Sequence, residues 1–165
     1  MALAPHGRGA PAFAAPRAPA AAARPDFSGV WQLERSEGQS DFMRAIGYNF
    51  LIAQAAGLAR VTQRIRQEGD SLHFTFEVVP PLLAPTRQAV VTVGVEETLM
   101  TDDAGREMLL LSPAWNGSTF SAGLRYLRPE HVLSIDRYME DGRMVEHVRY
   151  PGQDAEMRRI FRKAS

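Results

Sequence analysis

The chain has 165 residues, 45% of them hydrophobic, which is enough for one closed core and argues against a second domain. Nineteen basic residues balance nineteen acidic ones, so the net charge directs the chain neither to nucleic acid nor to an anionic membrane surface. Cysteine is absent, which excludes disulfide frameworks, thiolate metal sites and cysteine nucleophiles and fits a reducing compartment.

Residues 1–25 are almost entirely Ala, Pro, Gly and Arg, without an acidic residue or apolar periodicity, and are expected to form a disordered extension. Pro5, Pro11, Pro16 and Pro19 break the run of about 7–15 apolar residues that a secretory signal needs. An organelle transit peptide is the alternative reading, because such segments contain arginine and lack acids. No stretch of the chain approaches the ~20 apolar residues of a membrane-spanning helix.

At Asp26 the composition changes, and residues 26–165 are expected to form the folded domain. DFSGVWQLERS predicts a first strand centred on Val30 and Trp31. Ser40 is placed to cap a short helix, DFMRAIG, ended by Gly47, and a second short helix, YNFLIAQAAG, ends at Gly57. Every later segment alternates or is β-rich: VTQRIRQ, SLHFTFEVV, AVVTVGVEE, REMLLLS, STFSAGL, HVLSIDRYM, RMVEHVRY and AEMRRIFRK. Turns fall at Glu68-Gly69-Asp70, Asp102 to Gly105, Asn116-Gly117, Asp141-Gly142 and Pro151-Gly152. Regular strands without long intervening helices predict an antiparallel barrel or sandwich, with the two helices after strand one as a lid.

The last two hairpins carry the most specific inference. With Asp141-Gly142 as a two-residue loop, Arg137 faces Glu146, and with Gly152-Gln153 as the next loop Glu146 also faces Arg159. Directly opposed residues of antiparallel strands point to one side of the sheet, so these three form a row. Ile135, Met139, Met144, Val148, Tyr150, Met157 and Phe161 share their face, which is therefore the inner one. Two guanidinium groups against one carboxylate leave a surplus positive charge, suited to receive the carboxylate of an apolar ligand. Two other readings stay open: a surface ion ladder, if a loop has an odd residue count, and an internal triad that satisfies itself without ligand.

These residues also carry a resemblance. Gly29-x-Trp31, the Phe42-Met43 pair on the first lid helix with its closing glycine, then QEGDSL, LSIDRYMEDGRMV and the terminal RRIFRK resemble, in order, the intracellular lipid-binding proteins, the fatty-acid-binding and cellular retinoid-binding group of the calycin superfamily. The resemblance covers essentially everything after the tail. It implies a ten-stranded up-and-down β-barrel capped by two short helices, and a ligand carboxylate held by Arg137 and Arg159, chiefly Arg137. Two arginines there imply an acid, a long-chain fatty acid or a retinoic-acid-like ligand, rather than an alcohol. Three departures stand out: Phe161 where many members have tyrosine, Glu146 where they have an apolar or amide residue, and VVPPLLAPTRQ, longer than its counterpart near the portal.

The expected pocket wall is Glu146, Phe161, Ile135, Met139, Met144, Val148 and Met157, with Trp115 at wall or rim, and Phe42, Met43, Ile46, Tyr48, Phe50 and Leu58 at the lid. The bland alternative for each apolar residue is ordinary core closure. His6, His73, His131 and His147 are scattered without ligand spacing, no Gly-x-Ser-x-Gly setting or phosphate loop occurs, and no metal, cofactor or catalysis is expected. The reading is a monomeric cytoplasmic carrier, with the nucleus as a second location, binding a small lipid and neither nucleic acid nor membrane stably. A lipid-sensing protein that delivers ligand to a partner and an exported lipocalin-like carrier are the alternatives.

Overall fold

The computed structural model describes residues 23–82 and 84–165. The expectation for the N-terminal extension falls largely on residues 1–22, outside the described residues. Its end joins the barrel: Arg24 pairs with Asp70 at 2.9 Å and lies 5.5 Å over the Trp115 ring, and the Pro25 carbonyl accepts from Gln67 at 3.2 Å.

Ten strands form one antiparallel sheet: β1 (Gly29–Glu37), β2 (Arg60–Glu68), β3 (Ser71–Val79), β4 (Arg87–Thr92), β5 (Glu97–Thr101), β6 (Glu107–Asn116), β7 (Thr119–Leu127), β8 (Glu130–Glu140), β9 (Arg143–Tyr150) and β10 (Ala155–Lys163). Helices α1 (Gln39–Ala45) and α2 (Phe50–Leu58) follow β1. The sheet runs β4-β3-β2-β1-β10-β9-β8-β7-β6-β5, so β1 closes onto β10 and only the β4 and β5 edges lack a ladder between them. Arg87 bridges that gap, its Nε donating to the Thr101 carbonyl at 2.9 Å.

Period-two alternation drives the curl of this sheet around a core. Leu72, Phe74, Phe76 and Val78 of β3 and Phe120, Ala122, Leu124 and Tyr126 of β7 all turn inward, while their neighbours stay partly exposed. At one end Phe27 is fully buried and its carbonyl accepts from Trp31 Nε1 at 2.7 Å; Trp115 stacks on Phe27 at 5.8 Å and meets Phe120 edge-on at 5.1 Å. These rings plug the barrel.

Three local expectations are corrected. Gly38, not Ser40, caps α1, in a left-handed conformation with φ 71° where an added Cβ would collide with the Glu156 carbonyl oxygen, and the helix therefore starts one residue before Ser40. The α2 cap is Asn49, whose side chain accepts from the Ile52 N–H at 2.9 Å, and Gly57 lies inside that helix. AVVTVGVEE is not one strand: it spans the end of β4, the turn at Gly94 (φ 91°) and the start of β5. A β-rich run conceals a turn that one glycine marks.

Candidate functional site

The two terminal hairpins adopt the predicted register. Asp141 and Gly142, with φ 50° and 72°, form the two-residue turn that sets Arg137 opposite Glu146, and Glu146 also faces Arg159. The second loop is longer than expected, running from Pro151 to Asp154, but its even residue count preserves the pairing. Arg137 is 5% and Glu146 3% exposed, so the row lies inside and the surface-ladder alternative is excluded. The outer face is not wholly solvated, since Val145 and Ile160 are buried opposite one another.

Inside, the row extends into a chain of alternating charges. Glu146 accepts from Arg137 Nη2 at 2.7 Å through one oxygen and from Arg159 Nη2 at 2.5 Å through the other. Arg159 Nη1 donates to Asp103 at 2.5 Å, and Asp103 in turn pairs with Arg87. Gln63, fully buried on β2, donates to Glu146 at 3.1 Å and accepts from Arg137 Nη1 at 2.9 Å. Aromatic faces complete the desolvated surroundings: the Arg137 guanidinium lies 5.0 Å from Phe74 and that of Arg87 lies 4.8 Å from Phe76.

Burial alone would raise the Glu146 carboxyl, but Arg159 and then Arg137 overcome it and hold it down at about 2. Burial likewise opposes ionisation of Asp103, and Arg159 and Arg87 lower it nonetheless. Desolvation pulls Arg159 down, yet Glu146 and Asp103 outweigh it and the guanidinium stays firmly charged; for Arg137 desolvation prevails over Glu146 and the shift is downward.

A cavity lies beside this chain, so the charged cluster borders open volume. Its walls are largely apolar, from β3, β6, β7 and α1, with Arg87, Asp103, Arg137, Glu146 and Arg159 among the lining groups. At the lid, Asp102 accepts from the hydroxyls of Tyr48 and, at 3.0 Å, Tyr126, and both phenols are pushed up by burial and then by that carboxylate. Arg106 lies 3.9 Å over the Tyr48 ring and donates to the Ile46 carbonyl at 2.5 Å, tying the β5–β6 turn to the lid.

Of the residues singled out from sequence, Arg137, Arg159, Glu146, Ile135, Val148, Met157, Phe42, Met43, Ile46 and Tyr48 border the cavity. The others lie elsewhere. Met144 and Phe161 are fully buried but pack under the charge row, Met144 accepting from Arg137 at 3.2 Å through its sulfur. Met139 shares the predicted face but sits one pair from the hairpin tip and is 37% exposed. Trp115 belongs to the aromatic plug, and Phe50 and Leu58 point to solvent because α2 buries only Ala53 and Ala56. Sequence reasoning missed Gln63, Arg87 and Asp103. Gln63 was detectable, since it alternates with Val61 and Ile65 on one face of β2, whereas Asp103 and Arg87 read as turn and loop polarity. No group of three potential metal-ligating side chains occurs among the described residues.

An antiparallel ten-stranded barrel, plugged by aromatic rings at one end and covered by two helices over an internal cavity at the other, defines a calycin-type barrel. The chain is 28% identical over 138 residues to sodium/calcium exchanger regulatory protein 1 of Doryteuthis pealeii, covering 84% of this chain and 96% of that one. It is 28% identical to the intestinal fatty acid-binding protein of Bos taurus, covering 83% and 98%. Among solved structures, a fatty acid transporter designated REP1-NXSQ superposes with a TM-score of 0.70 at 25% identity, over 84% of this chain and 96% of that one. No protein-family model matches. In sequence and in fold the chain is thus similar to fatty-acid-binding proteins.

Proposed function

We propose that the protein binds a long-chain fatty acid, or a similar apolar carboxylate, non-covalently inside the barrel and carries it through the cytoplasm as a monomer. The observation that carries this reading is a cluster of guanidinium groups at an apolar cavity: Arg87, Arg137 and Arg159 line it together with the carboxylates of Asp102, Asp103 and Glu146, and Asp103 and Glu146 pair directly with the arginines. The planar donor forks of these arginines suit a ligand carboxylate in a desolvated site. The acyl chain adds burial of ~16 methylenes at about 0.8 kcal/mol each before ordering costs. The names of the bovine relative and the solved transporter support the same ligand class.

A displacement titration with a fluorescent fatty acid tests the proposal. Binding that oleate competes away, and that Arg159→Ala weakens by about tenfold or more, is the expected result. A well-folded wild type that takes up no fatty acid overturns it. The likeness to the squid regulatory protein supports a second reading, a lipid-responsive regulator of a membrane partner. Deleting residues 1–22 separates the two, since a carrier retains its whole activity in lipid binding and a regulator loses partner engagement.

A further inference from the structure

Three nitrogens of Arg159 are occupied: Nε and Nη2 donate to Glu146 at 2.9 and 2.5 Å, and Nη1 to Asp103 at 2.5 Å. Arg137 is likewise committed, to Gln63, the Met144 sulfur and Glu146. Arg87 differs. Its Nε reaches the Thr101 carbonyl and its Nη2 reaches Asp103, but Nη1 is buried with no acceptor among the described residues, on a side chain that lines the cavity. A buried guanidinium N–H without an acceptor forfeits a charge-assisted hydrogen bond, and this one sits on a side chain of the cavity wall.

Asp103 is the second half of the observation. It does not belong to a strand but to the turn between β5 and β6, whose backbone is held by Asp102 accepting from the N–H groups of Ala104 and Arg106 at 3.0 and 2.9 Å. From that turn its carboxylate enters the cavity wall and lies between Arg87 and Arg159, where a free carboxylate would find the same donors. Glu146, by contrast, is fixed in a central strand and held by Gln63 as well. One internal carboxylate is therefore built in and the other is carried on a loop.

We propose that Arg87 receives the ligand's head group, and that the Asp103 carboxylate occupies this seat in the empty protein and yields it to a carboxylate ligand. The inference rests on the carrier reading and refines it. The incoming carboxylate accepts from Arg87 Nη1 and Nη2 and from Arg159 Nη1, one donor more than Asp103 uses, and Asp103 moves with its turn toward water. Head-group selectivity then resides at the lid end of the cavity, on Arg87 and Arg159, and Arg137 serves to hold Glu146.

The test compares oleate with oleyl alcohol, which shares the chain and lacks the charge, by displacement titration on the wild type, Asp103→Asn and Arg87→Gln, with thermal melts to establish folding. Asp103→Asn is expected to strengthen oleate binding by about tenfold or more, because the competing charge is gone, and to leave the alcohol unchanged. Arg87→Gln is expected to weaken oleate by a similar factor while sparing the alcohol, and Arg87→Lys, which keeps the charge without the planar fork, to fall between. If the wild type binds oleate but these substitutions leave its preference for acid over alcohol intact, and only Arg137→Gln abolishes that preference, the assignment is overturned. Binding of neither ligand by folded wild type overturns the carrier reading itself, a distinct outcome.

Discussion

Asp103 and Arg159 stand 56 residues apart in the chain and meet at 2.5 Å inside the barrel. Their contact joins a turn at the lid to the last strand and extends the Arg137–Glu146–Arg159 row into a five-membered chain ending at Arg87. Asp103 and Glu146 thus each have a guanidinium on both sides, which is why both remain ionised despite burial.

Glu146 is the centre of that chain, and its removal strands two buried cations. Glu146→Ala is expected to destabilise the protein by about 3–5 kcal/mol, because Arg137 loses its only carboxylate and Arg159 one of two. Urea unfolding followed by circular dichroism reads this as a lower midpoint. A midpoint unchanged from wild type would show that water replaces Glu146 at little cost.

The same residue sets an acid limit. Its carboxyl ionises at about 2 in the folded protein against 4.5 ordinarily, so the unfolded chain takes up the proton first as pH falls. The stabilisation is complete above about pH 5 and is lost progressively toward pH 2, a difference corresponding to about 3 kcal/mol, with Asp103 contributing in the same sense. Unfolding free energies measured across that range should fall for the wild type and fall less steeply for Glu146→Gln.

Gln63 has no surface role, since its side chain is fully buried and spends its amide on Arg137 and Glu146. Gln63→Leu keeps the volume and removes both hydrogen bonds, at an expected cost of about 1–3 kcal/mol. An equal or higher melting temperature in the variant would mean the row is satisfied without it.

Tyr48 connects the lid to the β5–β6 turn through Asp102, while Tyr126 holds the same carboxylate from the barrel wall. Tyr48→Phe is expected to cost about 1 kcal/mol in global stability while raising amide exchange selectively in α1, α2 and residues 102–106. Uniform protection there would show that the Arg106 stack on the ring suffices to hold the lid.

The sequence alone determined the strand alternation, the helical lid after β1 and the register of β8, β9 and β10. All three follow from local rules: a two-residue period, a short helix stopped at Gly47 and a turn at Asp141-Gly142 that leaves one pairing. Those rules place Arg137, Glu146 and Arg159 on one face because opposed residues share a side. Only the tertiary structure decided what surrounds the row. Gln63, Arg87 and Asp103 arrive from β2, β4 and a distant turn, and their approach depends on how the sheet curls and where its β4 and β5 edges come together. Closure also decided which apolar residues border empty space: the inner face of a strand runs the whole length of the barrel, whereas the cavity occupies only part of it. Met139, Phe161 and Trp115 therefore lie at a rim, under the charge row and in the end plug, positions that alternation alone cannot distinguish from the cavity wall.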